Sequence, residues 1–152
     1  MFSKIFRQFA IVFVATLTLC ACQNDDHEEG PDLSLPVTYG NIQGEWTLAY
    51  MNLTPVDPAT AMTITLLRSE RTFSMVNHFD SMYPRTLTGS YELTTDDNGN
   101  VIISGTYDYW KGDWSHTYLV KLNDAYTMDW YATDDSDTHY HFTLKTARNE
   151  AQ

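Results

Sequence analysis

His139 and His141 are the residues whose type and spacing most directly suggest chemistry. On an extended strand, residues two apart face the same side, so two imidazoles at this spacing can approach one ion. Asp134, Asp135 and Asp137 lie just before them. Zinc needs about four donors, and each histidine ligand wants a further hydrogen-bond partner. The alternation that turns Tyr140 and Phe142 inward turns both histidines outward, so the pair reads as a solvated strand face and no metal is assigned. Asp129 and Glu92 are carboxylates of the kind that work in pairs in glycosidases, but nothing in their spacing selects them. There is no Gly-x-Ser-x-Gly, no His-Glu-x-x-His and no glycine-rich phosphate loop. No catalytic residue or cofactor is therefore assigned, and the chain reads as a binding protein rather than an enzyme.

The elements that must position these groups are strands. From Pro36 onward Thr, Tyr, Val, Ile, Phe and Trp are frequent, and short alternating runs recur between turn residues. The pattern predicts strands over 45–52, 61–67, 72–79, 85–94, 101–109, 115–122, 126–132 and 138–146. Asp96-Asp97-Asn98-Gly99-Asn100 is the clearest turn, because Asn-Gly supports the positive φ of tight hairpins. No part of this region has strong helical periodicity. Consecutive strands with short links favour an antiparallel meander. About eight such strands can close into an up-and-down β-barrel, which removes exposed edges and can enclose one small ligand. An open β-sandwich is the alternative.

The alternation places Tyr50, Tyr91, Tyr107, Tyr118, Trp130, Tyr140 and Phe142 on inward faces. They are the expected lining of a pocket for a small hydrophobic ligand or for a sugar stacked on rings. A filled aromatic core reads equally well from the same residues. The run from Tyr107 to Trp114 puts four rings around one hairpin, either as an exposed recognition patch or as a cluster closing a barrel end.

The N-terminus has its own organisation. Lys4 and Arg7 precede an apolar run over 9–19. A short cationic segment before a short apolar one is the secretory signal pattern. That run is about half the roughly 20 residues that a membrane-crossing helix needs. Leu19-Cys20-Ala21-Cys22 resembles the lipobox of bacterial lipoproteins, with an aliphatic residue, a small residue and then the modified cysteine. The resemblance implies cleavage after Ala21, a diacylglyceryl thioether on Cys22 and an acylated amino terminus. Multiple acyl chains give a stable anchor where one gives marginal binding. Residues 23–32 are polar and acidic and read as a disordered tether. An acidic run after the lipidated cysteine also resembles the surface-export signal of some Gram-negative bacteria. The expected division is a signal peptide over 1–21, a tether over 22–37, a barrel over 38–148 and a tail over 149–152.

Composition narrows the partners. The chain of 152 residues carries nine basic and twenty acidic side chains, a net charge of −11. Residues 1–21 take two of the bases and no acid, leaving −13. Such a chain repels nucleic acid, whose binding needs a basic footprint. With Cys20 removed and Cys22 lipidated, the folded region has no disulfide, so burial must hold it.

Ile42-Gln43-Gly44-Glu45-Trp46 resembles the hydrophobic-x-Gly-x-Trp opening of lipocalins and of small bacterial lipocalin-like lipoproteins. In that family the glycine turns the chain into the first strand and the tryptophan closes one barrel end. Gly44 and Trp46 occupy those positions. The family often stacks a basic side chain on the tryptophan. Arg148 has the required parity, with Lys145 second. The resemblance spans about residues 38–148. Together these readings give an expectation: an outer-membrane lipoprotein, surface-exposed and held by the lipid on Cys22. Its barrel would bind a small hydrophobic or carbohydrate ligand without catalysis. A partner-binding envelope lipoprotein with a filled barrel, or a small glycan hydrolase, are the alternatives.

Overall fold

In the computed structural model of the protein, residues 31–78, 83–109 and 112–145 are described. Cys22, Trp110 and Arg148 therefore lie outside the described residues. The described chain is all-β, with nine strands in sequence order: β1 (Gly44–Met51), β2 (Thr54–Pro55), β3 (Thr63–Leu67), β4 (Thr72–Asn77), β5 (Arg85–Thr95), β6 (Val101–Tyr107), β7 (Tyr118–Leu122), β8 (Thr127–Ala132) and β9 (His139–Leu144). Every pairing is antiparallel. From β3 to β9 each strand pairs with the next, and β1 pairs with both β3 and β9. An eight-stranded meander thus closes into a barrel, with the two-residue β2 added outside β1. The architecture is consistent with a lipocalin-like barrel and excludes the open sandwich.

Period-two burial drives closure. β1 buries Trp46 and Leu48, β3 Ile64 and Leu66, β4 Phe73 and Met75, and β7 Tyr118, Val120 and Leu122. Alternate residues face solvent, as the pattern requires. The turn at 96–100 is as expected in place but different in type. Gly99 has φ +83 and donates its N–H to Asp96 O, while the Asp96 carboxylate accepts the backbone N–H of Asn98 and Asn100. Only the glycine needs the left-handed region, so this is a longer loop rather than a two-residue hairpin. The two-residue hairpin lies elsewhere: Asn52 (φ 51) and Leu53 (φ 64) link β1 to β2. A leucine there is uncommon, because a side chain at positive φ is strained.

Two inward glycines shape the interior. A Cβ on Gly89 would fall 2.0 Å from the backbone oxygen of Thr106 and 2.7 Å from Phe73 Cε1, and one on Gly105 would fall 2.2 Å from Trp114 Cε2. The missing side chain of Gly89 lets backbone and the Phe73 ring approach, and that of Gly105 makes room for the Trp114 ring. Trp114 consequently lies inside the barrel, 8% exposed, although its place beside the Gly112 turn reads as peripheral. The expected sixth strand is shorter than predicted for the same reason. The chain uses Asp113 to bridge Thr106 and the N–H of Trp114 to bond Gly105 O, and regular pairing resumes at Tyr118.

Tyr50 departs from its expected place. A β-bulge between Leu48 and Tyr50 inserts one residue against β9, so Leu48 pairs with Phe142 and Tyr50 with His141. An extra residue reverses the side that following side chains face. Tyr50 therefore stands on the outer wall, 44% exposed.

Candidate functional site

The closed end of the barrel is built from the segment before β1. Residues 38–42 form a single turn, with Asn41 and Ile42 N–H bonded to Thr38 O. It presses Ile42 into the barrel, fully buried, and Trp46 donates its indole N–H to Ile42 O at 2.9 Å. Tyr39 lies against Tyr91 with ring centroids 5.6 Å apart, and its hydroxyl oxygen accepts the Leu93 N–H. Tyr91 is 3% exposed and its hydroxyl donates to Leu67 O, while burial raises its pKa to about 12. Tyr91 thus belongs to the closed end and not to a pocket.

Further along the barrel the core gives way to a cavity of about 160 Å³, lined by Met62, Met75, Asn77, Tyr107, Trp114, Ser115, Tyr118, Trp130 and Tyr140. Four of the seven expected pocket residues meet here: Tyr107, Tyr118, Trp130 and Tyr140. Phe142, fully buried, packs against Trp130 at 5.0 Å without lining the space. Trp114 and Trp130 stack at 5.4 Å and 29°, and Tyr118 lies 5.4 Å from Trp130 and 5.7 Å from Tyr140. Burial, reinforced by Tyr140, pushes the Tyr118 hydroxyl well above its usual range, so it is neutral and can donate a hydrogen bond at any ordinary pH. The indole N–H groups of Trp114 and Trp130 are buried with no acceptor among the described residues. Such unsatisfied donors cost about 1–3 kcal/mol each.

Met62, Met75, Asn77, Trp114 and Ser115 were not legible as lining. Asn77 shares the inward parity of Phe73 and Met75 within the expected strand over 72–79, so the same alternation marks it. Trp114 could have been found only by asking what fills the gap at Gly105.

A second arrangement sits on the outer wall. Asp129 has outward parity on β8, yet is 7% exposed. It is covered from β9, where Asp129 pairs with His141 and Tyr131 with His139. His139 Nε2 lies 3.0 Å and His141 Nδ1 2.7 Å from Asp129 Oδ1, and Asn123 Nδ2 donates to Oδ2. Burial pushes the Asp129 pKa up, but the hydrogen bonds from Asn123, His141 and His139 outweigh it and hold the carboxyl below its usual value. An ionised carboxylate only accepts, so both facing imidazole nitrogens carry protons. Tyr131 stacks on His139 at 4.3 Å and Tyr50 meets His141 edge-on at 5.7 Å. A groove of about 340 Å³, lined by Tyr50, Leu53, Asp129, His139 and His141, opens over the cluster. The histidines do face outward as expected, but against a buried partner rather than into free solvent.

The other sequence candidates stay apart. Asp134 bonds His116 Nδ1 at 2.7 Å, and Asp135 caps the turn through the Asp137 N–H and the Thr138 hydroxyl. Glu92 lies on β5, three strands from Asp129. The ring-rich hairpin divides, with Tyr107 and Trp114 turned in and Tyr109 72% exposed. Lys145, the second candidate to cover Trp46, places its Nζ 3.1 Å from Glu45 Oε1.

The Asp129 cluster sets a pH dependence. A depressed carboxyl contributes stability that is complete above its unfolded pKa and is lost as pH falls through the folded value. Wild type should therefore lose stability below about pH 4 by more than Asp129→Asn does. Urea midpoints of the two proteins between pH 7 and pH 2.5 check this, and parallel curves would contradict it.

No protein-family model matches the chain, and no curated protein or solved structure is significantly similar to it. The class of the protein accordingly rests on its fold, a closed eight-stranded antiparallel β-barrel with a cavity toward one end and a histidine–carboxylate cluster on its wall.

Proposed function

We propose that this protein is an outer-membrane lipoprotein, anchored through Cys22 and displayed at the surface, whose barrel binds one small ligand without catalysis. The observation that carries the binding reading is the 160 Å³ cavity ringed by Tyr107, Trp114, Tyr118, Trp130 and Tyr140. Its size matches cavities that hold a single benzene-sized ring, and it is too small for a long acyl chain. Ring faces suit the apolar faces of a sugar or an aromatic compound. Asn77, Ser115 and the tyrosines supply polar groups beside the rings. A monosaccharide-sized ligand meets both demands. Among the described residues no carboxylate or imidazole lines the space, which favours binding over hydrolysis.

Saturation-transfer NMR with a panel of monosaccharides and single-ring aromatics tests this. At least one compound should receive magnetisation from the wild-type protein and none from Ser115→Trp, which fills the cavity from its polar side. Silence across the panel would favour a filled barrel that serves a protein partner.

The anchor reading is tested separately. Cys22→Ser should abolish incorporation of labelled palmitate in cells, and continued labelling would remove the lipobox assignment.

A further inference from the structure

We propose that Asp129, His139 and His141 form a site for one divalent transition-metal ion of the zinc class on the outer wall of β8 and β9. The site is separate from the barrel cavity and does not depend on what that cavity binds.

Convergence is the first observation. One oxygen, Asp129 Oδ1, lies 3.0 Å from His139 Nε2 and 2.7 Å from His141 Nδ1. Around a tetrahedral ion with bonds of about 2.0–2.1 Å, donor atoms stand roughly 3.3 Å apart. The two nitrogen–oxygen separations are therefore about 0.3 and about 0.6 Å shorter than that spacing. As they stand, no three such side chains among the described residues frame a cation. The two imidazole protons that point at the carboxylate occupy the place an ion would take. On binding, each neutral ring carries its proton on its other nitrogen, the facing nitrogen offers its lone pair, and the donors spread slightly.

Support around the donors is the second observation. Asn123 holds Asp129 Oδ2, leaving Oδ1 for the ion. Tyr131 stacked on His139 and Tyr50 edge-on to His141 fix the ring planes. Metal sites need this outer layer to orient their ligands. The bulge in β1 explains why Tyr50 is available on this wall at all.

The third observation is burial. A carboxylate of outward parity normally reaches water, yet Asp129 is 7% exposed beneath two histidines. Burying a charge is costly without compensation. Hydrogen bonds from Asn123, His139 and His141 already hold this charge, and a cation between the carboxylate and the two rings would hold it by direct charge attraction. The groove beside Tyr50 and Leu53 leaves a fourth position open to water or to an external ligand.

Two imidazoles and one carboxylate suit zinc and its neighbours. Calcium and magnesium prefer six or more oxygen donors. Zinc chloride titrated into the purified full chain should give one bound ion per chain. The ring signals of both His139 and His141 should shift in long-range proton–nitrogen NMR spectra. Magnesium chloride at the same concentration should leave those signals in place. His139→Gln and His141→Gln should each abolish the stoichiometric binding, and Asn123→Ala, which touches no metal, should weaken it by about ten- to a hundredfold. Near-UV circular dichroism from the buried tryptophans reports whether each variant is folded. The proposal is overturned if zinc leaves the two wild-type ring signals unmoved, or if one equivalent still binds the folded double variant His139→Gln/His141→Gln. The wild-type spectrum decides the matter even if no variant folds.

Discussion

Trp114→Ala should cost about 3–5 kcal/mol of stability, the range for removing a buried tryptophan ring. Its ring is wedged among Phe73 at 5.0 Å, Trp130 at 5.4 Å and Tyr118 at 6.4 Å, and it fills the space left by Gly105. A domain of this size has only about 5–15 kcal/mol in total, so the variant should be close to unfolding. The Gly105 contact makes the prediction sharper. Gly105→Ala brings a Cβ to 2.2 Å from Trp114 Cε2, and overpacking of this kind costs about 1–3 kcal/mol or more. Once the ring is gone, the three nearest atoms that the methyl would strike are gone with it. The double variant should therefore lose markedly less than the two single losses combined, since residues in contact do not add. Urea midpoints of the four proteins measure the coupling. A Trp114→Ala midpoint equal to wild type would mean that the ring lies at a mobile turn and not in the barrel.

How far the fold was legible follows from where period two holds. Phe73 and Met75, or Tyr118, Val120 and Leu122, alternate with polar residues over strands that pair without interruption, so their inward faces can be read from sequence. The reading fails where the alternation is broken by something unseen. At Ala49 the β-bulge adds a residue, and Tyr50 turns out of the barrel to meet His141. At Trp114 the chain has left regular strand, and only Gly105 on the neighbouring strand makes room for the ring. Both causes lie in pairing across strands and leave no local mark. The Asp129 cluster was missed for a related reason. Parity correctly sends Asp129, His139 and His141 outward, but outward does not mean solvated when cross-strand partners cover one another. The register between β8 and β9, which parity alone does not supply, brings the three together.

Trp46→Ala should be as damaging as the loss of Trp114, for a different reason. The residue stands at the seam of the barrel, paired at once with Ile64 on β3 and with Leu144 on β9. Its indole is fully buried and bonds Ile42 O, which ties the closing turn to the first strand. Gly44 makes this geometry available. Its φ of +143 is one that side chains rarely adopt, and a Cβ there would meet Leu144 Cδ1 at 2.7 Å. Removing the ring should cost about 3–5 kcal/mol, because a cavity opens where two strand pairs meet. Trp46→Phe separates the contributions. It keeps most of the apolar contact and leaves the Ile42 carbonyl without its donor, a loss of about 1–3 kcal/mol. Lys145→Ala, by contrast, removes an exposed pairing with Glu45, and such pairs contribute at most about 1 kcal/mol. The expected order of urea midpoints is Trp46→Ala lowest, then Trp46→Phe, then Lys145→Ala close to wild type. If Trp46→Ala unfolds at the wild-type midpoint, the closed end does not depend on Trp46. The Gly-x-Trp opening would then be an accident of sequence, while the closed barrel, set by strand pairing, would stand without it.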